Sequence, residues 1–418
     1  MPGIDQLVSG KVQVSQLRPV NFEDLIRRQR IELPGDPVRH MFRGKRVVVT
    51  GAGGTIGSEL SSQIMQFEPE CLVLMERSEF ALYEARKRIA RETGDSTNVK
   101  IVNALIDAQQ TDTVRKLLQD IRPQIVIHAA AHKHVPLGEE NPPEYLRNNA
   151  LATRALAEMC EQSGVERFVL ISTDKAINPT SVMGASKRAA EILLLDIVRR
   201  SSTSTMKATA VRFGNVMGSS GSVIPLFMEQ IARGGPITVT DPEVTRYFLR
   251  TSEAVSLVLQ AATLGNRGDV FMLDMGEPLK IVDLARDLIR LSNHTEEEIP
   301  IVFSGLRPGE KLFEEIRLDG ESIQPTVHPQ IVVTNAPQPD AQLVAAWASR
   351  ASMACERGDN VVPLLRELIP EYYVPAADAL AAPLPTLPIR RQTQTPAAKT
   401  AARVQEARVQ ESQVATSC

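Results

Sequence analysis

Cysteine is scarce in this chain, and its few copies are irregularly spaced. Cys71, Cys160, Cys355 and Cys418 suggest neither a disulfide framework nor a metal knuckle, a usage that suits a reducing compartment. Long hydrophobic runs are missing too: no apolar stretch approaches the ~20 residues that a membrane-spanning helix needs. The polar N-terminus has no apolar segment of the signal-peptide kind, so the expectation is a soluble, cytoplasmic protein without a transmembrane segment. Nor is one charge in excess. Lys and Arg number 47 against 50 Asp and Glu, and a net charge of -3 gives no electrostatic footprint for nucleic acid. A few local arginines and lysines can still grip a diphosphate.

What is there is a chain of 418 residues, 43% hydrophobic and 23% charged, long enough for two or three folded domains. Residues 1–43 read as an N-terminal arm with one short amphipathic stretch, Phe22 to Arg30, between Pro19 and Pro34. Too small for its own core, it is expected to pack on the main body or on a neighbouring subunit of a homo-oligomer. From Arg46, strand-like runs at 46–50, 71–75, 99–103, 124–129 and 167–172 alternate with helical patterns at 57–67, 79–92, 111–120, 143–163 and 182–200. Near-continuous apolar strands joined by helices predict an α/β fold, a Rossmann-type doubly wound parallel sheet over 44–217, closed by a strand at 207–216. Beyond Gly218 the alternation breaks. Short strands at 237–240 and 269–274 mix with helices at 224–232, 252–263 and 281–291, and helices near 340–354 and Ile369 follow. This predicts a smaller α/β substrate-binding domain over 218–375, laid on the carboxyl ends of the sheet. Residues 376–418 offer too little apolar surface to offset ordering entropy and are expected to be disordered.

The run Thr50-Gly51-Ala52-Gly53-Gly54-Thr55-Ile56-Gly57 follows a strong strand and opens a helix. Gly51 permits a tight turn, Gly54 lets the backbone approach a pyrophosphate, and Gly57 lets helix and sheet pack closely. The helix N-terminus, with Thr55 and Ile56, offers free N–H groups to the phosphates. Glu76 ends the second strand, where a carboxylate can accept both hydroxyls of an adenosine ribose and repel the extra phosphate of NADP. NAD is the expected cofactor, with Arg77 beside Glu76 as the one residue that argues the other way. Asp107, after the third strand, either meets the adenine amino group or is an ordinary solvated loop residue. Ala129 and Ala130 begin a loop expected over the nicotinamide side, with Lys133 near the substrate. His128, His132 and His134 stand close together, but His128 falls in a buried strand and no Asp, Glu or Cys has familiar ligand spacing, so no metal is expected.

The stretch STDKAINPTSVMGASKRAAE, from Ser172 to Glu191, carries the chemistry. Thr173, Asp174 and Lys175 stand at the carboxyl end of a strand. Lys187 lies one helical turn after Met183, so both project to one face. A lysine there can hydrogen-bond the nicotinamide ribose. Met183 occupies the place where a short-chain dehydrogenase normally has its catalytic tyrosine. Methionine transfers no protons, so that duty passes to Thr173 working with Lys187 or Asp174. Asp174 and Lys175 add an acid that can protonate a leaving hydroxyl and an amine that, when neutral, can remove a carbon-bound proton.

Together TGAGGTIGSEL, HAAAHKHVPLGEENP, STDKAINPTSVMGASKR, RFGNVMGSSGSVIPLF, TRYFL and GLRPGEKLFEE resemble the CapD-like polysaccharide biosynthesis proteins. These are nucleotide-sugar dehydratases of the extended short-chain dehydrogenase/reductase superfamily, typified by UDP-N-acetylglucosamine 4,6-dehydratase. The resemblance runs from about Gln16 to Val332. Methionine before GASK is similar to the long, membrane-anchored branch, of which this chain resembles the soluble portion; the short branch keeps tyrosine. The resemblance implies NAD and a UDP-sugar substrate. It also implies three stages: oxidation at C4 with Thr173 taking the hydroxyl proton, elimination with Lys175 removing the C5 proton and Asp174 protonating the C6 hydroxyl, and hydride return to C6. Retention at C5 goes with the methionine branch. Asn215, Ser219, Ser222 and Val223 are implied near the nucleotide diphosphate, and Arg246, Arg307 and Glu310 as further nucleotide contacts. The chain departs from many relatives at His132, where they carry tyrosine, and at Asp241, where they carry histidine. A 4-epimerase would share NAD and the fold but needs no acid at C6 and normally relies on tyrosine. A non-catalytic scaffold of the same fold is the remaining alternative.

Overall fold

Val47 and Val49 point to one side of a strand and Val48 to the other, yet all three are buried. Such a strand needs cover on both faces, and it has it. The computed structural model describes residues 35–373, apart from 95–97, 202–204, 220, 319 and 336–337. The Phe22–Arg30 stretch and the tail from 376 onward lie outside the described residues.

Strands β1 (Arg46–Thr50), β2 (Cys71–Glu76), β3 (Lys100–Leu105), β4 (Ile125–His128), β5 (Arg167–Ile171) and β6 (Lys207–Arg212) run parallel in the order β3-β2-β1-β4-β5-β6. Val48 stands opposite both Val73 and Val126. With Phe168 these pack under the helices Thr111–Ile121, Ala152–Gln162, Val182–Arg200 and Ala341–Arg357. Val47, Val49, Leu72 and Ile125 pack on the opposite face against Thr55–Met65 and Thr251–Leu264. The helix Asp36–Phe42 joins this second layer through Val38 and Phe42, with the Phe42 ring 6.1 Å from that of Phe67. The end of the expected arm is thus part of the main body. Strand order reverses between β1 and β4, which opens a crevice at their carboxyl ends.

After β6 come β7 (Asn215–Val216), β8 (Ile237–Val239), β9 (Thr245–Arg246), β10 (Phe248–Leu249), β11 (Val270–Leu273), β12 (Leu279–Lys280), β13 (Ile301–Phe303), β14 (Ser322–Pro325) and β15 (Ile331–Asn335). Here the main sheet takes in strands that the sequence places in the smaller domain over 218–375. Strand β11 extends the main sheet parallel to β6, and β15 and β14 follow it antiparallel, making nine strands. The physical reason is the four-residue run VFML, buried at every position, which requires neighbours on both faces. The smaller module gathers instead round Ile224, Phe227, Ile237, Val239, Leu284 and Leu288, braced by β8 with β13 and β9 with β12.

Two expected elements are also interrupted. The helix expected over 143–163 is Pro142–Leu146, a π-helical turn Arg147–Leu151, and Ala152–Gln162. Asn149 in that turn grips the loop after β4: its Oδ1 accepts the His132 N–H at 2.7 Å and its Nδ2 donates to the His132 carbonyl at 2.9 Å. The strand expected over 207–216 breaks at Phe213–Gly214, and β7 turns away to pair with β10.

Candidate active site

The carboxyl ends of β1, β4 and β5 open on one cavity of about 660 Å³, a size usual for small-molecule sites. After β1, Gly51 has φ +63°, a left-handed conformation that glycine adopts without penalty. A Cβ there would fall 2.7 Å from the Ala130 nitrogen, and one on Gly57 would fall 2.0 Å from the Gly51 carbonyl oxygen. Turn, helix and loop therefore approach as closely as backbones can. The helix Thr55–Met65 begins at Gly54 without a side-chain cap. Gly51, Gly54, Thr55, Ile56, Gly57 and Ala129 all line the cavity.

Glu76, Arg77, Asp107 and Ala130 do not line it. The Glu76 carboxylate accepts N–H groups from Gly53 at 3.1 Å, Arg77 at 2.9 Å and Ser78 at 3.0 Å, bracing the turn. Arg77 pairs with Asp107 at 3.6 Å, and Asp107 also accepts the Gln109 N–H. His128 is a buried structural residue. Its Nδ1 lies 2.7 Å from Thr50 Oγ1 and its Nε2 2.9 Å from Thr153 Oγ1, while Thr153 donates to the Asn149 carbonyl. Burial, helped by the Lys187 charge, pushes this imidazole down to about 3. Among the described residues no group of His, Cys, Asp and Glu is arranged to hold a metal ion.

After β5 the chain makes a tight 3-10 turn, Asp174–Ala176, capped by Thr173. Thr173 Oγ1 donates to Asp174 Oδ1 at 2.9 Å. Lys175 Nζ donates to the same Oδ1 at 3.0 Å and to Asn215 Oδ1 at 3.0 Å. It also lies 3.4 Å from Glu314 Oε1. Asp174 is fully buried and its Oδ2 has no partner; a Cβ on Gly214 would come within 3.0 Å of that oxygen. Burial pushes Asp174 upward, Lys175 opposes, and Glu314 adds to the rise. For Lys175 burial acts downward but is outweighed by Asp174 and Glu314, which hold the amine above its ordinary value against Arg246. Thr173 and Lys175 line the cavity, with Asp174 behind them.

Met183 and Lys187 come from the start of the helix Val182–Arg200, where Ser181 Oγ caps the Gly184 N–H at 3.1 Å. Both are buried in the same cavity wall, as their spacing predicts. Burial brings Lys187 down to about 8, with Glu191 opposing. Lys133, Asn215, Ser219, Ser222, Val223, Arg246, Arg307 and Glu310 line the same cavity. Ser222 Oγ, at the start of the helix Val223–Ala232, is buried without a hydrogen-bond partner. Glu310 Oε1 accepts from Arg246 at 3.1 Å and from the Thr240 hydroxyl at 3.1 Å, so it orients the arginine. Of the two departures, His132 lines the cavity and Asp241 does not; Asp241 caps the Glu243 N–H.

Sequence reasoning missed Glu314 and Asn149. Glu314 lies within GLRPGEKLFEE, where only Arg307 and Glu310 were singled out. Its signal was faint, because nothing local in LFEE distinguishes an acid that turns inward from a solvated one.

This architecture, a Rossmann-like, mostly parallel sheet with a smaller accessory α/β module, is the fold of the extended short-chain dehydrogenase/reductase enzymes. The chain belongs to the polysaccharide biosynthesis protein family, whose pattern matches residues 47–336. It is 47% identical over 332 residues to the capsular polysaccharide biosynthesis protein CapD of Staphylococcus aureus, covering 79% of this chain and 54% of that one. The chain thus spans about half the length of that relative. A UDP-N-acetylglucosamine 4,6-dehydratase (inverting) of Campylobacter jejuni is 30% identical, covering 66% of this chain and 78% of its own. A UDP-glucose 4-epimerase of Rickettsia rickettsii is 31% identical with the same coverage. Among solved structures, Pen from Bacillus thuringiensis has a TM-score of 0.64 at 32% identity, over 72% of this chain and 89% of its own. DesIV of Streptomyces venezuelae, a dTDP-glucose 4,6-dehydratase solved with NAD, has a TM-score of 0.58 at 18% identity, over 76% and 99%, a likeness of fold.

Proposed function

We propose that the chain is the catalytic part of a NAD-dependent nucleotide-sugar 4,6-dehydratase. This lyase converts UDP-N-acetylglucosamine to a UDP-4-keto-6-deoxy sugar for polysaccharide or glycan precursors. The observation that carries the reading is the hydrogen-bonded series Thr173–Asp174–Lys175, whose fully buried acid is pushed above its ordinary value by burial, so it can hold a proton handed to it and give it up again. An acid poised beside an amine serves elimination, and a 4-epimerase has no use for it.

The close-packed turn at Gly51 and Gly57 and the uncapped helix start fit a dinucleotide pyrophosphate. When bound, NAD supplies a redox partner that is regenerated within one turnover. The chain's residues do the rest. Lys187 orients the nicotinamide ribose, and Met183 excludes water where a tyrosine would transfer protons. Thr173 takes the C4 hydroxyl proton and passes it to Asp174 along their 2.9 Å hydrogen bond. Asp174 protonates the departing C6 hydroxyl, and Lys175, once neutral, removes the C5 proton. Ser222, the Val223 N–H, Arg246 and Arg307 hold the UDP diphosphate.

Incubation with NAD and UDP-N-acetylglucosamine, followed by proton NMR, tests the assignment. A C6 methyl signal is expected. A C4-epimeric product with its C6 hydroxyl intact would replace this reading with the 4-epimerase one, which the Rickettsia rickettsii relative keeps in view. Cofactor and nucleotide binding without turnover would point to the scaffold.

A further inference from the structure

A protonated lysine has three N–H donors, and the Lys175 amine faces three oxygens: Asp174 Oδ1 at 3.0 Å, Asn215 Oδ1 at 3.0 Å and Glu314 Oε1 at 3.4 Å. These are the surroundings of an ammonium, a form that cannot take a proton from carbon. Asp174 is not free to receive its proton, because the C4 hydroxyl proton arrives there through Thr173. A second acceptor is required, and Glu314 is the ionisable group left in contact. It is buried, its Oε2 has no partner, and it borders a side chamber of about 160 Å³ with room for several waters. The charges facing Lys175 are Asp174 on its own turn, Arg246 on β9 and Glu314. For Glu314 burial acts upward but is outweighed by Lys175, Arg246 and Lys311, which hold its carboxyl below its ordinary value at rest, so it keeps a proton only while elimination proceeds; Tyr247 lies near both acids.

We propose that Glu314 accepts the Lys175 proton during elimination and returns it when the turnover closes, an inference that rests on the dehydratase reading. An N–H bond of Lys175 breaks as an O–H bond forms at Glu314 Oε1. Lys175 then takes the C5 hydrogen as a proton, and Asp174 gives its proton to the C6 oxygen, which leaves as water. When bound, NAD would supply the hydride that moves from C4 to C6; Lys175 then returns its proton to C5 and Glu314 returns the held proton to Lys175. Two protons are drawn from the sugar and two are given back, and the cluster ends as it began. Glu314 is thus a positioning residue that acts through Lys175.

Glu314→Gln keeps the shape but cannot accept the proton, whereas Glu314→Asp can. In single turnovers by the NAD-loaded protein with UDP-N-acetylglucosamine, the Gln variant should form reduced nicotinamide at a near-normal rate. Its elimination should be slower by on the order of 10² at neutral pH. That rate should rise with pH, because Lys175 must now lose its proton to solvent, and the Asp variant should recover part of the loss. Independently of turnover, competitive amine labelling read by mass spectrometry should find Lys175 titrating about one pH unit lower in the Gln variant. An unchanged pH profile or an unchanged titration, with C6-methyl product still made by the unaltered protein, overturns this proposal alone. Absence of C6-methyl product from the unaltered protein overturns the dehydratase reading and this proposal together.

Discussion

Asp174 and Lys175 meet across 3.0 Å, the acid buried at the cavity's edge beside Thr173 and the amine lining the cavity. Asp174→Asn and Lys175→Met should both keep cofactor and nucleotide while losing dehydration by on the order of 10² or more. Product NMR beside a nucleotide-binding assay checks this, and near-normal turnover in both would end the assignment. Met183→Leu should retain much of the activity, since both side chains are apolar and of similar volume. Thr173→Val should slow the first stage by removing the hydroxyl that bonds Asp174. Normal single-turnover oxidation by Thr173→Val would move the proton duty elsewhere. Lys187 adds a pH dependence: with its amine down to about 8, the charge is present below that pH and lost as pH rises through it. Oxidation at C4 should therefore weaken above about pH 8, and Lys187→Ala should lose that limb.

At the scale of elements, the cofactor turn depends on contact between backbones. A Cβ on Gly57 would sit 2.0 Å from the Gly51 oxygen, so Gly57→Ala must push the helix Thr55–Met65 off β1. Weaker NAD retention and a lower Tm are expected together; unchanged NAD affinity would show that the helix start is not the phosphate site. The His128 series ties β4 to the π-helical turn and hence to the loop beside the cavity. The folded protein binds the His128 proton only near pH 3, whereas the unfolded chain binds it near the ordinary value of 6.5. This contribution to stability is therefore fully present above about 6.5 and is lost as pH falls toward 3, by at most about 1.4 kcal/mol per pH unit. In urea denaturation, stability should depend less on pH across that window in His128→Gln than in the unaltered protein. Equal slopes would place the acid sensitivity elsewhere.

For the whole molecule, the sheet itself argues for cooperative unfolding. The chain leaves it after β6, builds the smaller module, and returns through β11, β14 and β15. Neither part has a complete sheet without the other. Trp347, the one tryptophan, is buried on the helix Ala341–Arg357, which packs against Pro142–Leu146 and Val182–Arg200, its Nε1 donating to the Leu364 carbonyl at 2.6 Å. Tryptophan fluorescence and far-UV circular dichroism should report coincident transitions in urea, and separated midpoints would contradict this. The six parallel strands, the glycine turn and the Thr173-to-Lys187 stretch were legible in the sequence, because periodicity and spacing act over a few residues and local backbone geometry converts them directly into faces. Residues far apart in the chain were another matter. Only the folded chain brings Glu314 to Lys175, turns the Glu76 carboxylate onto Gly53, and carries β11 back into the first sheet. Those pairings depend on which buried surfaces and charges complement one another across the whole molecule, and no local pattern encodes that choice.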